Sequence, residues 1–191
     1  MLTRRPVAAL LAAVTAVTAL VGCSSGSEES RCTSKAGIIE CAPDQRSAAP
    51  KISGELLTGG RYDVAQARGQ VVLLNFWGSW CAPCRAEADD LEATYQATKG
   101  SGVTFLGINI QDSKDKAIAF EEGRVTYPSL FDPASRLALS LDIPPNTIPA
   151  TVILDRDGRI ATVIRAAVTQ ENLRPLVERV AAEQPAPNGS R

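Results

Sequence analysis

The sequence predicts an α/β fold: a mixed central sheet flanked by helices, with an N-terminal β-hairpin extension. Three observations predict it. Residues 71–76 are an apolar, β-branched-rich run of strand length, and an Ala- and Glu-rich segment with helical spacing follows just beyond Gly78. Residues 103–110 form the next strand, and a strand reached through a helix lies parallel to its predecessor in a right-handed crossover. Residues 150–154 and 159–165 flank Asp155-Arg156-Asp157-Gly158, the signature of an antiparallel hairpin.

The chain has 191 residues, 45% of them hydrophobic, with five Cys, no His and a net charge of −1. That suits one domain with extensions, and nothing in the charge suggests nucleic-acid binding. Residues 1–22 read as an export signal: a basic start with Arg4 and Arg5, then an uncharged apolar run over 7–21, shorter than the ~20 residues of a membrane span. It ends in Leu20-Val21-Gly22-Cys23, which resembles the bacterial lipoprotein box, where the Cys is diacylated and becomes the N-terminus. That implies lipid anchoring at Cys23 on the extracytoplasmic face of the cell membrane. An ordinary secretory leader, or an uncleaved anchor with Cys23 incidental, is the alternative, and either still places the domain outside the cytoplasm.

Residues 23–48, rich in Ser, Glu, Ala, Gly and Pro, read as a flexible tether. Within it, Cys32 and Cys41 are expected to pair as a local disulfide, or alternatively to form a second redox couple acting on Cys81 and Cys84. The domain proper spans 49–182. It opens with a hairpin, 52–57 and 61–64 about Gly59-Gly60, packed on the sheet edge. After the central strand comes a helix over 82–98, with Ala88, Leu91 and Tyr95 on one face, ended by Gly100–Gly102. Ser113 is the expected N-cap of a helix to about 122, followed by a short extended piece over 127–131 and a helix over 134–141. Pro144-Pro145-Asn146-Thr147-Ile148-Pro149 breaks all periodicity before the hairpin. A helix over 170–182 closes the domain, and 183–191 is expected to be a disordered tail.

The chemistry centres on Cys81 and Cys84, a Cys-x-x-Cys at a helix start. Unpaired N–H groups and the positive end of the helix dipole favour a thiolate there, so Cys81 is expected to be the exposed attacking sulfur. Pro83 suits the first helical turn because its missing N–H leaves no bond unmade. Cys84, one turn in, is expected to be less exposed and to resolve the mixed disulfide. Glu87 lies three residues further on the same helix, and its carboxylate is expected to reach back over Cys84 with a raised pKa, as a proton carrier. The alternative is a solvated glutamate favoured by the dipole. Trp80, beside Cys81, is expected at an apolar rim where substrate docks.

Asn-Phe-Trp-Gly-Ser-Trp-Cys-Ala-Pro-Cys-Arg-Ala-Glu resembles the thioredoxin superfamily and, within it, the membrane-tethered TlpA/ResA branch, over about residues 49–180. Thioredoxin carries an Asp where this chain has Asn75, and the cytochrome-maturation branch carries a Glu where this chain has Glu87. The resemblance implies a thioredoxin-like fold and a cis-proline at Ile148-Pro149 facing the Cys pair, with an extended substrate segment along that loop. It also implies a reducing role toward protein disulfides, commonly those of apocytochrome c, with a membrane thiol carrier supplying electrons and no cofactor. A monomer is expected. The rival readings are a disulfide oxidase or isomerase, a metallochaperone and a non-catalytic partner-binding lipoprotein. The absence of His leaves two thiolates as an incomplete copper site. A peroxidase fails for want of a separately placed lone Cys.

Overall fold

The computed structural model describes residues 32–184, and the strand that the sequence marks as central is its centre. β5 (Val71–Trp77) is buried at every position. Its alternation divides the core in two. Val72, Leu74 and Phe76 join Leu106, Ile108 and Leu130 on one face, and Val71 and Leu73 join Leu91, Phe105, Leu173 and Val177 on the other. A strand covered on both faces has no solvated side for polar residues, which leaves Asn75 as its one polar member.

On one flank β5 pairs in parallel with β6 (Val103–Ile110), which pairs in parallel with β7 (Ser129–Asp132). On the other it pairs antiparallel with β8 (Ala150–Leu154), and β8 with β9 (Ile160–Ile164). The mixed, thioredoxin-like sheet is the one the sequence predicts. Gly107 of β6 faces Ser129, and a Cβ there would lie 1.9 Å from Ser129 Oγ and 2.9 Å from Trp77 Nε1. Only glycine lets β7 and the Trp77 indole approach this closely.

α1 (Ala82–Thr98) and α4 (Gln170–Ala182) cover the Val71/Leu73 face together through Leu91, Leu173 and Val177. Thr169 and Asn172 close a capping box at the head of α4. α2 (Lys114–Glu121) sets Ala117 and Phe120 beside Trp77, with the two rings 5.4 Å apart. α3 (Arg136–Ser140) presents Ala138 to the opposite face. It is shorter than the helix expected over 134–141, because Ser135 is left-handed at φ 56° and the Asp132 carboxylate takes the N–H groups of Arg136 and Leu137. The Ser113 side chain does not cap α2; its own N–H donates to Asp112 instead.

The tether expected over 23–48 is corrected from Cys32 onward. β1 (Cys32–Lys35) and β2 (Ile38–Cys41) form a hairpin, and β2 pairs antiparallel with β9, extending the sheet to seven strands in the order β1-β2-β9-β8-β5-β6-β7. Cys32 and Cys41 stand opposite each other in the hairpin and are joined by a disulfide. The segment then runs along the sheet: Ile160 N–H donates to Ser47 O, and Ala48 bridges Arg159. Arg46, its side chain 4% exposed, pairs with Asp155 and bidentately with Glu183. Composition concealed this order because backbone pairing, one disulfide and one buried guanidinium supply it, not apolar periodicity. Glu183, assigned to the tail, is thereby tied to the domain, and residues 185–191 lie outside the described part.

The second predicted hairpin, β3 (Ser53–Glu55) and β4 (Arg61–Asp63), is a separate two-stranded sheet. It meets the main sheet at the β7 edge, where Leu56 bridges Leu130.

Candidate active site

β5 ends at Trp77, and the next four residues turn the chain into α1. Cys81 is the N-cap: its Sγ accepts the N–H of Cys84 at 3.2 Å, an otherwise unpaired donor of the first turn. Pro83 occupies that turn without loss of a bond. Cys81 and Cys84 are joined in a disulfide. The Ile148–Pro149 bond is cis, and Ile148 O lies 3.8 Å from Cys81 Sγ. The loop before β8 and the head of α1 thus face each other across the sulfurs.

The difference in exposure expected between the two cysteines is absent. In the disulfide Cys81 is 4% and Cys84 3% exposed. What separates them is surroundings, since Cys81 faces the helix N–H and the Ile148 carbonyl while Cys84 lines a cavity of about 10 Å³ with Asn75, Trp77, Phe120, Glu121 and Tyr127. Trp80 is 53% exposed. Its indole stands over Gly78, where a Cβ would come 2.7 Å from Nε1.

The loop bearing Trp80 is pinned by Asp112, which accepts Ser79 N–H at 2.6 Å, Ser79 Oγ–H at 2.9 Å and Asn109 Nδ2–H at 3.0 Å. Burial alone would raise this carboxyl, but those bonds and the Ser113 N–H hold it below the usual range.

Glu87 is 1% exposed, so it is not a solvated helix-start glutamate. Nor does it lie over Cys84 with free oxygens. Oε1 accepts Asn75 Nδ2–H at 2.9 Å and Oε2 accepts Val168 N–H at 2.8 Å. Burial pushes it up to about 7, with the Val168 and Asn75 bonds offsetting part of the rise and the Asp90 charge adding to it. Asn75 also donates to Thr151 Oγ1 at 3.3 Å. The buried amide that replaces thioredoxin's Asp is therefore satisfied by the helix carboxylate, and Asn75 forms part of the Cys84 cavity wall.

Glu121 escaped the sequence reading. It lines the same cavity, accepts the Ser129 hydroxyl, and burial pushes it to about 7, the Ser129 bond offsetting part of that. The available signal was spacing: Glu121 is four residues from Ala117, the buried residue of α2, and so shares its inward face. Asp112 was likewise missed at the end of β6, where its role depends on a loop folding over it.

Cys23 lies outside the described residues. The Cys32–Cys41 pair is at the far sheet edge, with β9 and β8 between its hairpin and β5, which places it away from the Cys81 loop. Among the described residues no group of three or more His, Cys, Asp or Glu is placed to hold a metal ion, and no helix is long and apolar enough to cross a membrane. A separate cavity of about 370 Å³ opens at the start of β5, lined by Ile52, Val72, Leu154 and Arg156, and contains no thiol.

Residues 46–163 match the AhpC/TSA family. The thiol-disulfide oxidoreductase ResA of Geobacillus kaustophilus is 29% identical over 135 residues, covering 70% of this chain and 76% of that protein. A secreted thiol-disulfide isomerase from Corynebacterium glutamicum superposes with a TM-score of 0.74 at 35% identity, covering 77% of this chain and 93% of the other. A DsbF homologue from Corynebacterium diphtheriae does so with a TM-score of 0.71 at 36% identity, covering 75% and 92%. The chain belongs to the AhpC/TSA family, in its thioredoxin-like, ResA-like group of thiol-disulfide oxidoreductases.

Proposed function

We propose that this thiol-disulfide oxidoreductase works outside the cytoplasm as a reductant of protein disulfides. The observation that carries the reading is the Cys81–Cys84 pair at the head of α1, opposite the Ile148-Pro149 loop and backed by a buried carboxyl. In the reduced form the Cys81 thiolate attacks a client sulfur, the client S–S bond breaks, and its leaving thiolate takes a proton. The Cys84 thiol then gives up its proton, attacks Cys81 Sγ and releases the second client thiol. The client leaves as a dithiol and the enzyme as the disulfide. The extended client segment lies along Ile148 and Pro149, with Trp80 as apolar rim. Glu87, one turn beyond Cys84 and joined to the cavity wall through Asn75, is the group we assign to the Cys84 proton. Apocytochrome c, with a membrane dithiol carrier as electron donor, is the client class the ResA resemblance supports.

The reduction potential of Cys81–Cys84 tests the direction. It is expected nearer the thioredoxin value of about −270 mV than the DsbA value of about −120 mV, since Ala82-Pro83 between the sulfurs supplies no cation to stabilise a thiolate strongly. Oxidative folding or isomerisation is the second reading, favoured by the Corynebacterium glutamicum isomerase at 35% identity. A potential above roughly −160 mV would select it.

The leader and Cys23 support a lipid anchor, with residues 1–22 removed, the short stretch to Cys32 as spacer, and the domain proper ending near Ala182. Cys23→Ser is expected to move the protein from the membrane fraction to the soluble fraction with its disulfide exchange intact. Retention of Cys23→Ser on membranes would point to an uncleaved leader instead.

A further inference from the structure

Beside the cysteines lies a groove of about 510 Å³, of which the exchange mechanism uses only the Trp80 rim. Its wall is Trp80 from the loop before α1, Arg85 from α1, Lys116 and Phe120 from α2, and Glu122 and Arg124 beyond it. Three cations therefore meet one anion, in a chain whose net charge is −1. The cations are positioned, not merely nearby. The Arg85 guanidinium sits 5.2 Å from the Phe120 ring centre and that of Arg124 sits 4.8 Å from it, so the ring holds both charges against the groove. Arg85 also donates to Ser79 O, and Arg124 pairs with the exposed Asp89. Among the described residues neither Arg85 nor Lys116 has a carboxylate partner within salt-bridge distance, which leaves a surplus of positive charge facing outward next to an exposed indole.

We infer that this groove is a docking site for an acidic segment of the client polypeptide, within a few residues of its disulfide. The inference rests on the oxidoreductase reading for its geometry. A client sulfur held at Cys81 places the neighbouring client residues over Trp80, which is both the rim of the reacting sulfurs and a wall of the groove. The occupant is fixed by charge complementarity: Asp or Glu side chains meet Arg85, Lys116 and Arg124, and an apolar client residue covers Trp80. Lys or Arg at the same client positions would meet like charge, which penalises the wrong client as well as attracting the right one.

The test uses three disulfide peptides of equal length whose cysteines are flanked by acidic, neutral or basic residues. At low ionic strength kcat/KM is expected to fall from acidic to basic by about tenfold or more, with the gap closing at high salt. Lys116→Glu should shrink or reverse the ranking, whereas the same charge change at Lys51, beside the cavity at the start of β5, should leave it alone. Equal kcat/KM for acidic and basic peptides, or an equal shift from Lys51→Glu, overturns the groove. Binding of peptides with serine in place of cysteine reads the groove without the chemistry. Charge-ranked affinity with no exchange of any peptide would sink the oxidoreductase reading and keep the groove; charge-blind affinity alongside exchange would do the reverse.

Discussion

Cys81→Ser abolishes disulfide exchange, while Cys84→Ser keeps the attacking step and accumulates a mixed disulfide with client. That is the largest effect the site predicts, and it follows from position, since the two thiols are equally buried in the disulfide. Cys81 Sγ is the helix N-cap, where the Cys84 N–H and the dipole stabilise a thiolate. Cys84 lines the small buried cavity with Asn75, Trp77, Phe120, Glu121 and Tyr127, where burial and a neighbouring carboxyl disfavour an anion. Capture of clients by the Cys81→Ser form, read by non-reducing electrophoresis, would reverse the two roles.

Glu87→Gln separates two consequences of the buried carboxyl. Exchange near neutral pH should slow by about a hundredfold, the lower range for loss of a positioned proton acceptor, while alkylation of the thiols should titrate at lower pH because a negative neighbour has gone. Stability moves the other way. The folded pKa, about 7, lies above the ordinary 4.5, so the folded state binds the proton more tightly. The associated stability is present at low pH and is lost as pH rises from about 4.5 through about 7, by roughly 3 kcal/mol. Glu87→Gln lacks that decline and should be the more stable protein at pH 8 by denaturant titration. The amide can be housed: one oxygen still accepts Val168 N–H, and Asn75 can turn its own oxygen toward the new NH₂ group. If turnover, alkylation and the pH slope of stability all stay as in the parent, Glu87 merely ties α1 to the start of α4. Glu121→Gln is the comparison, because Glu121 lines the Cys84 cavity but its carboxylate accepts from Ser129, where that of Glu87 accepts from Asn75 and Val168.

The mixed character of the sheet, parallel strands and then an antiparallel hairpin, and the Cys-x-x-Cys position were legible because both rest on local signals: a β-branched run, a helix-start proline, an Asp-Gly turn. Helices over 82–98 and 170–182 were legible to the residue for the same reason. The β1–β2 hairpin was not, because Ile38 and Ile39 give too little periodicity and its order comes from partners far along the chain, such as Glu183 for Arg46. Glu87 was expected as a proton carrier reaching back over Cys84, yet its bond to Val168 required the segment before α4 to fold back onto α1. Glu121 was overlooked although its spacing from Ala117 was readable, because only the fold shows that the Ala117 face of α2 is the covered one.

The hairpin closed by Cys32 and Cys41 also changes what full reduction means for this molecule. The described residues hold two disulfides, so reducing both consumes four electrons, and only the pair at Cys81 and Cys84 is the exchanging couple proposed here. The other pair of electrons removes the covalent clasp from the outermost strands, whose pairing covers the open backbone edge of β9. An uncovered edge is a template for another chain. Strong reductant would therefore couple the chemical state of a distant hairpin to self-association, and a mild dithiol in stoichiometric amount is the condition under which enzyme and edge can be followed apart.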